Sequence, residues 1–251
     1  TGNSFYLVSR TRDPYLQFMS KKGVFKVVLA LVALLVLAGA GFFGYVWFSA
    51  GTGEPSRETE AAELEPEQPE SIVYEVVDGE SEARFVIEEV LRGEPNTVVG
   101  TTSGIDGSVA VEFRSNDVEI GEFAINVRTI ETDDEVRDRS IRTLILESNK
   151  DEFEFSTFRP TQISGLPESI EVGDRFSFEV TGDLTVRDVT SSVTFDMSVD
   201  VRSEEEITGS ASTTILWEDF DITIPYVGGD SIVASVEDRV DLELEFLARA
   251  R

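Results

Sequence analysis

From Ile72 onward, apolar side chains recur at every second position, and a period of two restricts that part of the chain to strands with one buried face. In Phe176-Ser-Phe-Glu-Val-Thr-Gly-Asp-Leu-Thr-Val186, alternate residues are apolar or glycine, while Glu179, Asp183 and the hydroxyls take the other face. Val193, Phe195, Met197, Val199 and Val201 repeat the pattern, as do Val240, Leu242, Leu244 and Phe246 against Asp241, Glu243 and Glu245. Weaker runs occupy Ala83–Leu91, Thr97–Thr102, Ser108–Phe113, Gly121–Arg128, Glu152–Phe158 and Ile207–Leu216. Turn residues such as Gly104, Gly107, Asn116-Asp117 and Gly173-Asp174 separate them, so about eight or more antiparallel strands are expected. The fold class is therefore all-β.

One stretch departs from this period. Thr132-Asp-Asp-Glu135 has the form of a capping box, and Val136, Ile141, Leu144 and Ile145 come after it at helical spacing. A short helix is expected there, carrying Asp133/Arg137, Glu135/Arg139 and Asp138/Arg142 as acid-to-base pairs four residues apart. Strands with one apolar and one acidic face close either as a barrel or as a sandwich. A barrel is preferred because the inward set is rich in Phe and Val rather than in interlocking Leu. An eight-stranded barrel either fills its interior with side chains or holds one ligand, and alternation alone does not say which.

Upstream, Val27 to Phe48 carries no charge over 22 residues. At about 1.5 Å per residue such a helix spans about 33 Å, the thickness of a hydrocarbon core. Arg10, Arg12, Lys21, Lys22 and Lys26 precede it, and Arg57 is the nearest basic residue after it, so the positive-inside rule keeps the N-terminus cytoplasmic and exports the chain beyond Phe48. A cleaved signal peptide is the rival reading, with Lys21 to Lys26, Val27–Leu37 and Ala38-Gly39-Ala40 as its three regions. The length of the apolar stretch, and the apolar GFFGYVWF that cleavage would leave at the new terminus, argue against it. The expected layout is a cytoplasmic segment over 1–26, a transmembrane helix over 27–48, an acidic Pro/Glu-rich linker over 49–71 and a periplasmic or extracellular β-domain over 72–251.

Charge and composition narrow the function. A formal net charge of -28 repels nucleic-acid phosphates and anionic lipid headgroups. The chain has no cysteine and no histidine, which excludes thiolate nucleophiles, disulfides, Cys/His zinc sites and histidine-based triads. Lys150 is the only lysine after Lys26, which argues against a Ser/Lys dyad. Glu88-Glu89 and Glu204-Glu205-Glu206 match no EF-hand spacing and read as solvated charge. No enzyme activity, metal or cofactor is expected.

Five short stretches, in order, resemble the YceI-like family of extracytoplasmic, lipocalin-like lipid-binding domains across about residues 72–248. They are Val99-Gly-Thr-Thr-Ser-Gly-Ile-Asp-Gly107, Arg137-Asp-Arg-Ser-Ile-Arg142, Phe153-Glu-Phe155, Gly182-Asp-Leu-Thr-Val-Arg-Asp-Val-Thr190 and Asp219-Phe-Asp-Ile222. Asp188 and Asp221 stand where the family usually has glycine, and Ser140 where its helix motif often has histidine. The resemblance implies an antiparallel β-barrel with an elongated apolar cavity that accepts a polyisoprenoid, an isoprenoid quinone or another long lipid. The barrel-facing aromatics expected to line it are Phe113, Phe123, Phe153, Phe155, Phe176, Phe178, Phe195 and Phe246. A second function class is an accessory subunit of a membrane complex, motivated by the small residues Ala38, Gly39, Ala40, Gly41 and Gly44 that let helices approach closely.

Overall fold

The computed structural model describes residues 59–225, 227 and 233–251. The segments read as cytoplasmic and membrane-spanning lie outside these residues. Among the described residues no helix is long and apolar enough to cross a membrane.

The strands are β1 (Ile72–Val76), β2 (Glu82–Leu91), β3 (Glu94–Thr102), β4 (Ile105–Asp106), β5 (Ser108–Glu112), β6 (Asp117–Ile120) and β7 (Phe123–Asn126). They continue as β8 (Phe155–Ser164), β9 (Arg175–Val186), β10 (Val189–Val201), β11 (Glu206–Leu216), β12 (Val233–Val236) and β13 (Arg239–Ala250). All thirteen belong to one sheet. Long antiparallel ladders join β8 to β9, β9 to β10, β10 to β11 and β11 to β13. The other side is built of short pieces: β1 meets β13 over three residue pairs, and β4 meets β7 over two. The product is an all-β, curled antiparallel half-barrel with one short helix, lipocalin-like in its meander. The bend between β4 and β5 falls at Gly107, where any Cβ would lie 2.6 Å from the Phe123 ring.

The alternation sorts side chains as expected. In β9, Phe178, Val180, Leu184 and Val186 are buried, while Glu179 and Asp183 are exposed. Cross-strand ion pairs on the outer face, such as Arg84 with Glu243 and Arg175 with Asp200, add little individually because water screens them. Residues 61–70 of the expected linker lie along β4 to β6. The Ala61 N–H donates to Asp106 Oδ2 at 2.7 Å, and the Glu67 N–H to Glu119 Oε1 at 2.8 Å.

The helix forms as α1 (Glu135–Ser140), with Asp134 rather than Thr132 as its N-cap. The Asp134 carboxylate accepts the N–H groups of Val136 at 2.8 Å and Arg137 at 3.0 Å. Those two bonds hold the Asp134 carboxyl below its ordinary value. Of the expected pairs, Asp133–Arg137 forms. Asp138 instead accepts Thr132 Oγ1 at 2.5 Å, and Arg142 Nε donates to the Arg128 carbonyl at 2.9 Å. Ile141–Ile145 continue as a π-helical turn.

A buried polar cluster fixes this excursion to the sheet. Arg128 and Glu154, with side chains only 3% and 5% exposed, form an ion pair at 3.1 Å. Arg128 Nε donates to the Ser148 carbonyl at 2.5 Å, and Asn126 Nδ2 donates to Glu154 Oε1 at 3.0 Å. Each buried charge is thus both paired and hydrogen-bonded, the condition under which burial is tolerated.

Candidate functional site: the apolar interior

The inward faces build two apolar clusters. One gathers Tyr74, Val109, Val111, Phe123, Ile170, Phe178, Val180, Met197, Val201, Ile207 and Phe246 at the end where β8 turns into β9. The other gathers Leu184, Val186, Phe220 and Ile222 near α1, with Ile145, Leu146, Trp217 and Leu242 against them. Phe158 packs on both. Its ring lies edge-on to Phe195, with centroids 4.9 Å apart. The two clusters therefore make one continuous apolar column.

Six of the eight expected aromatics join the first cluster. Phe123, Phe178 and Phe246 are buried in it, and Phe113, Phe176 and Phe195 pack against it. Phe123 and Phe246 meet edge to face at 6.4 Å, and Phe176 lies 5.8 Å from Phe178. Phe153 and Phe155 are placed elsewhere. Phe153 sits in a 3-10 turn over Asp151–Phe153, with Lys150 Nζ 5.2 Å from its ring. Phe155 pairs with Asn126 in the β7–β8 ladder, while Phe158, three residues on and so of opposite phase, faces the interior opposite Phe123. The strand begins only at Phe155, and a bulge at Pro160/Gln162 shifts its phase again.

Three inward-facing residues fall outside the expected set. Phe158 was hidden by that phase change. Ile170 lies in the loop between Gly165 and Gly173, outside any alternating run, yet it is only 2% exposed and sits within the first cluster. Glu89 is not solvated: its side chain is 9% exposed, takes a hydrogen bond from Asn96 Nδ2 at 2.9 Å and lies 3.6 Å from Arg137. It shares the phase of Ala83, Phe85 and Ile87 on β2, a signal already present in the alternation.

At the first cluster the interior is closely packed. Val109, Val111, Phe113, Ile170, Phe178 and Phe246 are among the residues lining a void that admits the centre of a water-sized sphere over ≈ 20 Å³, little more than one such sphere. Beside it the Tyr74 hydroxyl, fully buried, donates to the Glu204 carbonyl at 3.1 Å. Burial, with the charges of Glu204 and Glu205, pushes the phenol up to about 12. Gly182, the first residue of the Gly-Asp-Leu-Thr stretch, is required by packing: a Cβ there would lie 2.5 Å from the Arg159 carbonyl oxygen and 2.6 Å from the Phe158 ring. Asp221 takes the left-handed conformation at φ 50°, so aspartate does there what glycine does elsewhere, whereas in the β9–β10 turn that conformation falls on Arg187 rather than Asp188.

A family model described as a YceI-like domain matches residues 74–248, more than half of the chain. The chain belongs to the YceI-like family. Among solved structures, this YceI-like chain is similar to a polyisoprenoid-binding domain from Saccharophagus degradans implicated in plant cell wall breakdown. The TM-score is 0.55 at 13% identity, over 72% of this chain and 99% of that one. It is also similar to BcnA of Burkholderia cenocepacia, with a TM-score of 0.53 at 17% identity, over 68% of this chain and 98% of the other. At these identities the likeness is one of fold. No curated protein matches.

Proposed function

We propose that this YceI-like domain binds a long apolar lipid, a polyisoprenoid or isoprenoid quinone, within its barrel and that the chain holds it at the outer face of a membrane. The observation that carries the reading is the continuous apolar column joined at Phe158, lined by Phe123, Phe178, Phe195 and Phe246. A binder of this kind needs shape and apolar surface, each buried CH₂ contributing about 0.8 kcal/mol, and needs neither cysteine nor histidine. The Saccharophagus degradans domain of the same fold is described as polyisoprenoid-binding, which supports the ligand class. Because the void is only ≈ 20 Å³, a chain enters by displacing side chains rather than by filling existing space.

Tethering and export rest on the uncharged Val27–Phe48 stretch and the basic residues before it. The test of binding is mass spectrometry of solvent extracts from full-length protein purified in mild detergent. An isoprenoid recovered in stoichiometric amount is expected, and its absence from every preparation, with no uptake of added isoprenoid, sinks the reading. Protease added outside intact cells with a permeabilised outer envelope should remove the β-domain; full protection reverses the topology.

A further inference from the structure

The segment between β8 and β9 closes one end of the apolar column and is built unlike the other turns. Its termini are glycines in the left-handed region, Gly165 at φ 84° and Gly173 at φ 99°. Between them Glu168, Ser169, Glu171 and Val172 are exposed, Leu166 packs half-buried against the first cluster, and Ile170 is fully inside, where it lines the interior void. The middle of the segment is tied by Asn116 Nδ2, which donates to the Pro167 carbonyl at 2.8 Å, and by Glu171, whose N–H donates to Asp174 Oδ2 at 2.9 Å and whose carbonyl accepts the Asp174 N–H at 3.1 Å. Gly173 is held more firmly, its N–H donating to the Val201 carbonyl at 2.7 Å.

The strands beside it are also unpaired toward each other. The β7–β8 ladder ends at Phe123 and Phe158, so β8 beyond Phe158 has a ladder with β9 only. β6 ends the sheet path and pairs with β5 only. Swinging the segment outward about its two glycines therefore withdraws Ile170, together with the half-buried Leu166 that packs on the same cluster, breaks no ladder and opens onto the void.

We propose that residues 165–173 are the door of the interior, and that Ile170 holds in the closed form the place taken by the leading end of an apolar chain. This rests on the lipid-binding reading above. The ligand enters with an uncharged end first, because at this end the acids Glu168, Glu171, Asp174, Asp200, Glu204 and Glu205 outnumber the bases Arg114, Arg175 and Arg202, and the excess repels an anionic headgroup.

The test uses all-trans-retinol, an isoprenoid alcohol whose fluorescence rises on leaving water, mixed with the detergent-solubilised full chain. The chain has no cysteine of its own, so Asn116→Cys with Pro167→Cys gives a clean pair. It is joined by a disulfide or a short bifunctional thiol reagent. Uptake should slow at least tenfold when the pair is joined, and return when a disulfide is reduced. The variant Ile170→Ala should take up retinol severalfold faster than the unmutated chain, with a thermal melt confirming that it is folded. Unchanged uptake in both the joined pair and Ile170→Ala overturns the door while leaving lipid binding standing, and places the entrance at the α1 end. No uptake by the unmutated chain overturns the lipid reading and the door with it.

Discussion

Replacing Phe158 with alanine probes the coupling between packing and binding most directly. Its ring touches both apolar clusters and lies 4.9 Å from that of Phe195. The site is half-buried, so the lipid-free domain should lose about 3 kcal/mol, the lower end of the range for phenylalanine truncation. For a domain of this size each kcal/mol lowers Tm by about 2–4 °C, which predicts a drop of about 6–12 °C. Binding should move the other way. A chain entering the unmutated protein must displace side chains, and the variant has one ring fewer to displace. Where Phe158 is the ring that moves, the same 3 kcal/mol reappears as tighter binding, about two decades in Kd. Thermal melts with and without ligand, together with equilibrium titration by retinol, measure both halves. A variant that melts lower yet binds no tighter shows that the chain's path does not pass Phe158, and refutes the picture of one continuous column.

The packing predicts three further outcomes. Arg128→Met leaves Glu154 buried without its cation and should cost about 3–5 kcal/mol in urea unfolding, whereas a loss under about 1 kcal/mol would show that water reaches the carboxylate. Tyr74 should ionise near pH 12, above the ordinary tyrosine value. Because its folded pKa is raised, the stability it contributes is complete below the ordinary tyrosine value of about 10 and is lost as pH rises toward 12; absorbance titration at alkaline pH, with Tyr74→Phe as control, tests this. Gly182→Ala forces a methyl against the Arg159 carbonyl and should cost about 1–3 kcal/mol, and an unchanged denaturation midpoint would mean the strands part there without penalty.

An alternation of period two is enough to make this chain all-β and to turn most of the named phenylalanines inward. The period of two from Ile72 onward assigned faces within each strand, because successive side chains of a strand must point opposite ways, and it placed Phe176, Phe178, Phe195 and Phe246 correctly. The short stretches around Gly182 and Arg137 pointed to the family that the comparison with known domains then showed. Alternation does not carry phase across an irregular segment, so the remaining positions depend on how the chain folds back on itself. Phe158 rather than Phe155 joins the apolar clusters because the chain enters β8 from a 3-10 turn. Glu154 lies inside rather than on the surface because Arg128, 26 residues earlier, is brought against it by the β7–β8 pairing. Ile170 is a plug only because the sheet curls until β5, β9, β10 and β11 surround it, a long-range closure that no local pattern records.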